Sequence, residues 1–176
     1  MQTNAQSGRR ESIDPTGEFP FDATDYVLHL VAAIGQFRDS ALDHAMREFG
    51  LNTGRYRVLG VLNRFGVCSM TELANYTAMD RTTLTRVADH LVANGLAARR
   101  EDPKDRRHVL LEMTRLGRDT YLKALAVVFD LNSRLLDGVN ETGKRAAARV
   151  LRQVMHNLAP NETARDSIIR YGRDEE

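Results

Sequence analysis

Apolar positions along the chain recur mostly with a helical period and, over one short region, in an extended pattern. From Asp25 to Phe49 the residues Val27, Leu30, Val31, Ile34, Phe37, Ala41, Leu42, Ala45, Met46 and Phe49 alternate spacings of three and four, which defines one stripe. Gly50 is a natural stop. A helix of roughly 25 residues is about 37 Å long at 1.5 Å per residue. That exceeds what a small domain buries by itself, so part of the stripe is expected to face a partner. Residues 53–65 carry Tyr56, Val58, Leu59, Val61, Leu62 and Phe65 and end at Gly66. Ser69-Met70-Thr71-Glu72 then reads as a capping box, in which hydroxyl and carboxylate satisfy orphan backbone N–H groups, and Leu73, Ala74 and Tyr76 give the helix an apolar side. Asp80 caps a third helix that reaches Asn94 and closes at Gly95.

Beyond Gly95 the pattern changes. Leu96 to Arg100 and His108 to Met113 are short extended segments joined by Glu101-Asp102-Pro103-Lys104-Asp105-Arg106-Arg107, whose proline and aspartates make a turn. They predict a β-hairpin with a basic tip. The helical period returns from Thr114 through Leu136, and a last helix is predicted from about Glu141 to Leu158, ended by Pro160. The predicted fold is mainly α with a small β-wing: a winged helix-turn-helix with an N- and C-terminal helical dimerisation layer. Its expected parts are a mobile tail over 1–20, dimerisation helices over 21–50 and 115–160, a DNA-binding domain over 51–114, and a polar tail over 161–176.

Composition narrows the function. At 176 residues with 42% hydrophobic positions the chain supports a real core, and few aromatics, no Trp and four Pro suit helices better than a β-sandwich. One cysteine, Cys68, leaves no internal disulfide framework and no cysteine-based zinc finger. No signal-peptide core or membrane-length apolar run occurs, so a cytoplasmic protein without membrane contact is expected. The net charge of +1 is unevenly spread: residues 51–118 hold 12 Lys/Arg against 7 Asp/Glu (+5), and the remainder 13 against 17 (−4). A basic middle between acidic flanks suits a polyanion, although solvated helices can cluster charge by chance.

The helix over 80–94 sharpens this. Advancing 100° per residue from Leu84, the side chains of Val87, Ala88 and Leu91 fall within about 60° of it. Thr82, Thr85, Arg86 and Asp89 land at roughly 160°, 100°, 200° and 140°, on the other side. Short hydroxyl side chains and one arginine pack poorly but suit a major groove, where Thr contacts phosphate, base edge or thymine methyl and Arg forks onto guanine. Arg81, at the helix start, is angled towards backbone phosphate. The short preceding helix and the basic hairpin that follows complete a helix-turn-helix with a wing.

In Glu72-Leu73-Ala74, Met79 to Arg86 and Leu91 to Leu96, residues 53–118 resemble the MarR (multiple antibiotic resistance regulator) family. The most specific stretch is Asp102-Pro103-Lys104-Asp105-Arg106-Arg107 followed by Leu111-Glu112-Met113-Thr114-Arg115-Leu116-Gly117. It is similar to the family's wing signature Asp-Pro-x-Asp-x-Arg leading to Leu-Thr-x-x-Gly, with Met113 where Leu is usual. The resemblance implies that Asp105 braces Arg107, which enters the minor groove, and that Lys104, Arg106, Arg99 and Arg100 meet phosphates. It also implies that Ser69, Met70 and Thr71 offer a phosphate the N-terminus of their helix. With Arg81, Thr82, Thr83, Thr85 and Arg86 these residues make up the predicted DNA-contact set.

Specific DNA affinity usually needs two such modules on a near-palindrome, and the stripes over 25–49, 116–136 and 146–158 exceed the need of one winged domain. A homodimer binding double-stranded DNA is therefore expected, against a monomeric helical bundle. Family resemblance further implies a repressor that releases DNA when a small aromatic or anionic effector enters a cleft. Candidate liners are His29, Phe37, His44, Arg55 and Tyr56, each of which also suits packing or surface roles. Cys68, in a turn near the DNA-binding surface, raises a redox reading, but no resolving cysteine accompanies it. The five histidines (29, 44, 90, 108 and 156) lack metal-ligand spacing, and no phosphate loop is present, so neither cofactor, metal nor catalysis is expected. Two rival functions are a nonspecific DNA-coating chromatin-type protein and a helical scaffold for an acidic protein partner.

Overall fold

The structure is a computed structural model that describes residues 23–103 and 109–158; the predicted tails and the wing-tip residues Lys104, Asp105, Arg106, Arg107 and His108 lie outside the described residues. Two compact units divide between Arg38 and Asp39. The described part of the first is the beginning of helix α1 (Ala23–Ala45), where Tyr26, Val27, Leu30, Val31, Ile34 and Phe37 are all exposed.

The second unit begins with the end of α1. Leu42 and Met46 are buried there, and a 3-10 turn over Arg47–Phe49 follows, so the expected single helix to Phe49 stops early and tightens. Gly50, at φ +67°, takes the left-handed conformation that ends the run. Helix α2 (Thr53–Phe65) is capped by Asn52, whose side chain accepts from Arg55 N at 2.9 Å. Buried Thr53 donates its N–H and hydroxyl to Asp43 Oδ1 at 2.6 and 2.7 Å, and Arg57 meets both carboxylate oxygens of Asp39 at 2.9 Å. Both contacts tie α1's last turns to α2.

Strand β1 (Cys68–Ser69) leads into α3 (Met70–Thr77), then α4 (Arg81–Ala93), β2 (Ala97–Glu101), β3 (Val109–Met113), α5 (Arg115–Leu135) and α6 (Glu141–Leu158). The antiparallel sheet has the order β1-β3-β2, with Arg99 opposite Leu111 and Cys68 opposite Leu111 on the other edge. The predicted hairpin is thus β2–β3, and β1 adds a third strand that two residues of sequence did not announce. Leu42, Met46, Leu59, Leu73, Leu84, Leu91 and Leu111 meet in one core cluster and are at most 1% exposed. Helices α1 to α4, the sheet and α5 are therefore joined in the second unit by one interior.

The wing joins α5 through a tight contact. Thr114 caps α5, accepting from Gly117 N at 3.0 Å, and its own hydroxyl donates to Gly95 O at 2.6 Å. Thr114 N donates to Leu96 O at 3.1 Å. A β-carbon on Gly117 would lie 1.9 Å from that same Leu96 oxygen, so the Thr114-Arg115-Leu116-Gly117 stretch requires glycine where the helix meets a carbonyl.

Candidate nucleic-acid interface

The α4 helix owes its orientation to its two faces. Leu84, Val87, Ala88 and Leu91 are buried, and Arg81, Thr82, Thr83, Thr85, Arg86 and Asp89 are exposed, as the helical wheel predicts. Asp80 fixes the helix start: its carboxylate accepts from Thr83 N at 2.9 Å and from the Thr83 hydroxyl at 2.6 Å. Those bonds, the hydroxyl's first, hold the Asp80 carboxyl below its ordinary pKa. Ahead of it, Ala78 adopts φ +55°, a left-handed turn in a residue other than glycine, and this sets the angle between α3 and α4.

Two threonine hydroxyl protons on the exposed face are already committed. Thr83 Oγ1 donates to Asp80, and Thr85 Oγ1 donates to Arg81 O at 2.8 Å. Toward a groove these two residues therefore present oxygen lone pairs and methyl groups. Thr82 and Arg86, one helical turn apart, carry the face's donors.

On α3 the capping box is complete. Glu72 N donates to Ser69 Oγ at 3.2 Å, while Ser69 N and Ser69 Oγ both reach Glu72 Oε2 at 2.8 Å. Since the Ser69 N–H is satisfied within the chain, the first N–H groups of α3 proper, Met70 and Thr71, are those that helix geometry leaves for a phosphate. The Met70 side chain itself packs against the core.

In the wing, Arg99 is ion-paired with Asp89 of α4, and Arg100 with Glu112 of β3 at 2.8 Å. Neither acidic partner was foreseen as such. Asp89 stood on the exposed face of its helix ten residues from Arg99, and only the return of the chain through Gly95 brings them together. Both arginines stay about half exposed. Lys104, Asp105, Arg106 and Arg107, the rest of the predicted wing contacts, lie outside the described residues.

The predicted effector liners divide between the two units. His29 and Phe37 are exposed on the first unit's stretch of α1, and His44 is exposed near its end. Tyr56 is half-buried and stacks on Tyr121 of α5, with ring centroids 5.2 Å apart. Arg55 donates to Gly50 O at 3.0 Å. The charge of Arg55 also depresses the pKa of His90 on α4, behind the larger effect of burial. Tyr121 lies within the helical period that begins at Thr114, and its pairing with Tyr56 carries no one-dimensional signal. Cys68 is buried, and burial pushes its thiol up to about 11, with the Glu72 charge adding to the effect. Among the described residues no group of three or more His, Cys, Asp or Glu side chains is placed to hold a metal ion, and no helix is long and apolar enough to cross a membrane.

Residues 49–108 match the MarR family model. The chain is similar to the HTH-type transcriptional repressor NicR of Pseudomonas putida, at 29% identity over 80% of this chain and 89% of the relative. It is also similar to the HTH-type transcriptional repressor IacR of Pseudomonas putida, at 24% identity over 82% of this chain and 86% of the relative. Among solved structures it resembles Bordetella bronchiseptica BpsR, whose DNA binding is regulated by 6-hydroxynicotinic acid. That likeness has a TM-score of 0.70 at 26% identity, over 77% of this chain and 97% of that one.

Proposed function

The chain belongs to the MarR family and is a DNA-binding transcriptional regulator, and from that premise we propose how it reads DNA: two copies bind a near-palindromic operator, each laying α4 in the major groove. The carrying observation is the polar face of α4, with Arg81, Thr82, Thr85 and Arg86 exposed above a fully buried apolar stripe. Arg86 forks onto guanine, Thr82 and Thr85 meet neighbouring base edges, Arg81 meets phosphate near the helix start, and Thr83, both of whose donors Asp80 holds, offers the groove its methyl and an oxygen lone pair. Met70 and Thr71 dock a phosphate with their N–H groups at the start of α3, which Ser69 caps, and the wing, with Arg99, Arg100, Lys104, Asp105, Arg106 and Arg107, grips the flank. The family is one of regulators rather than enzymes, and in this reading the chain performs no chemistry and works in the cytoplasm as a repressor.

Duplication rests on exposed apolar surface. Leu122, Leu125, Phe129, Leu135 and Leu136 on and after α5 are exposed, as are Val150, Leu151 and Leu158 on α6, which buries no residue of its own. Such helices need a partner, and a second copy supplies a self-complementary one. The division of labour is then the expected one, 51–114 for DNA and 21–50 with 115–160 for dimerisation. A small aromatic acid, by likeness to the ligand of BpsR, is the proposed effector class; Arg55, Tyr56, His44, His29 and Phe37 are the candidates for a cleft formed on dimerisation.

Selection of bound sequences from a random duplex pool tests this reading. A palindrome preferred over random DNA by about 10³ or more is expected, with protection of two half-sites one helical turn apart. Binding with a steep salt slope and no sequence preference would instead indicate the DNA-coating protein.

A further inference from the structure

The exposed face of α4 divides into two rows. Thr82 and Arg86 make one, Thr85 and Asp89 the other, and in each row the two residues stand four apart, one turn above the other. Around the helix the rows lie roughly 60° apart. Their chemistry is opposite. Thr82 and Arg86 carry donors, which suit the N7 and O6 acceptors of guanine. Thr85 commits its hydroxyl proton to Arg81 O at 2.8 Å, and Asp89 is a carboxylate ion-paired with Arg99 of β2. The second row therefore offers acceptors and the Thr85 methyl group, and the Arg99 pair puts it on the side of the wing.

The Thr85 bond also fixes which atoms reach outward. With Oγ1 turned back to the carbonyl four residues earlier, the methyl occupies a separate staggered well of an exposed residue. Bringing the hydroxyl proton to a base would break that bond and rotate the side chain. In the major groove a guanine edge presents N7 and O6, both acceptors, and meets repulsion from oxygen lone pairs and a carboxylate. An A·T pair presents the thymine C5-methyl and the adenine amino donor, which match a methyl beside acceptors; a C·G pair has the amino group without the methyl. We propose that the Thr85–Asp89 row selects thymine by methyl contact and rejects guanine, beside a Thr82–Arg86 row that selects guanine. Thr85 and Asp89 thereby set the order of bases in each half-site. This assignment rests on the reading of α4 in the major groove given above.

The test uses the operator that the full-length protein selects from a random duplex pool. Each thymidine in it is replaced singly by deoxyuridine, which removes the C5-methyl and leaves every hydrogen-bonding group in place. In each half-site one replacement should weaken binding about fourfold, the worth of one buried methylene-sized group. Thr85→Ser, which keeps the hydroxyl and loses the methyl, should bind the two duplexes alike. Thr85→Val, which keeps the methyl, should retain the difference. Both changes are at an exposed helical position, and melting curves check that the variants fold. Guanine at the same position should be bound about tenfold more weakly or worse by the parent, and Asp89→Asn, whose amide can donate, should narrow that gap. Deoxyuridine effects equal in the parent and Thr85→Ser, their loss in Thr85→Val, or a guanine penalty unchanged in Asp89→Asn overturns the assignment while leaving a sequence-specific α4. A parent that selects no preferred sequence overturns the reading of α4 and this assignment with it.

Discussion

The joint between wing and α5 allows a worked test of the fold. In Gly117→Ala the new methyl would sit 1.9 Å from Leu96 O and 2.9 Å from Leu96 C, so the contact must open by more than about 1 Å. The Leu96 oxygen cannot retreat freely, because it accepts from Thr114 N, and Thr114 in turn caps α5 and donates to Gly95 O. Overpacking of this kind costs about 1–3 kcal/mol, and a lost backbone hydrogen bond about 1 more. The sum is about 3 kcal/mol, or roughly 10 °C in melting temperature for a chain of this length. Gly54→Ala is the matched comparator: its β-carbon would meet Met79 and Val87 at an ordinary 3.5 Å, and alanine is favoured over glycine within a helix by about 1 kcal/mol. Thermal and urea unfolding followed by circular dichroism, at one fixed protein concentration because the stability of the proposed dimer would depend on it, should separate the two variants clearly. If Gly117→Ala melts within about 2 °C of the parent, the joint has slack and the close approach does not constrain the wing.

Other expectations follow from the same contacts. Arg86→Ala should weaken operator binding by about 1–3 kcal/mol and relax preference at one base pair, whereas Arg81→Ala should weaken all sequences alike; footprinting of selected and scrambled duplexes distinguishes them. Asp80→Asn should keep the α4 cap at neutral pH. Because bonding to Thr83 lowers the native Asp80 pKa, the parent's cap contribution is present above the ordinary aspartate range and fades as pH falls through the lowered value. Acid melts should therefore lose a pH-dependent component in the asparagine variant. Cys68, buried and with its pKa raised to about 11, should stay a thiol at neutral pH; alkylation of the folded protein should be slow, and mild peroxide should leave DNA binding unchanged. Ala78→Gly should raise the melting temperature, since glycine takes φ +55° without the penalty a β-carbon brings.

The parts legible in the sequence were those carried by neighbours along the chain. The Ser69–Glu72 box, the Asp80 cap and the glycine stops are local hydrogen-bond chemistry, and the α4 stripe is periodicity; each is where the residues placed it. What stayed hidden depends on residues far apart in sequence. Strand β1 is two residues long and exists only because β3 arrives beside Cys68. The Tyr56–Tyr121 stack needs the chain to return across some sixty-five residues, and the turn at Ala78 carries no glycine to announce it.

Arg99 and Arg100 show why this distinction matters for function. Read as letters they are two positive charges at the start of a wing, each worth a phosphate. In the fold each is paired with a carboxylate, Asp89 or Glu112, so part of its charge is cancelled before DNA arrives. The pairs are half-exposed and worth little to stability. Their effect is on direction, because the Asp89 pair ties β2 to the helix proposed to read bases. Removing Asp89 would free a cation and raise nonspecific affinity, with a salt slope steeper by up to about 0.9 if Arg99 then gains a phosphate. It would also loosen the angle between wing and α4, so specificity should fall even as overall affinity rises. An acidic residue on a DNA-facing surface is thus better explained as a brace for recognition than as an obstacle to it.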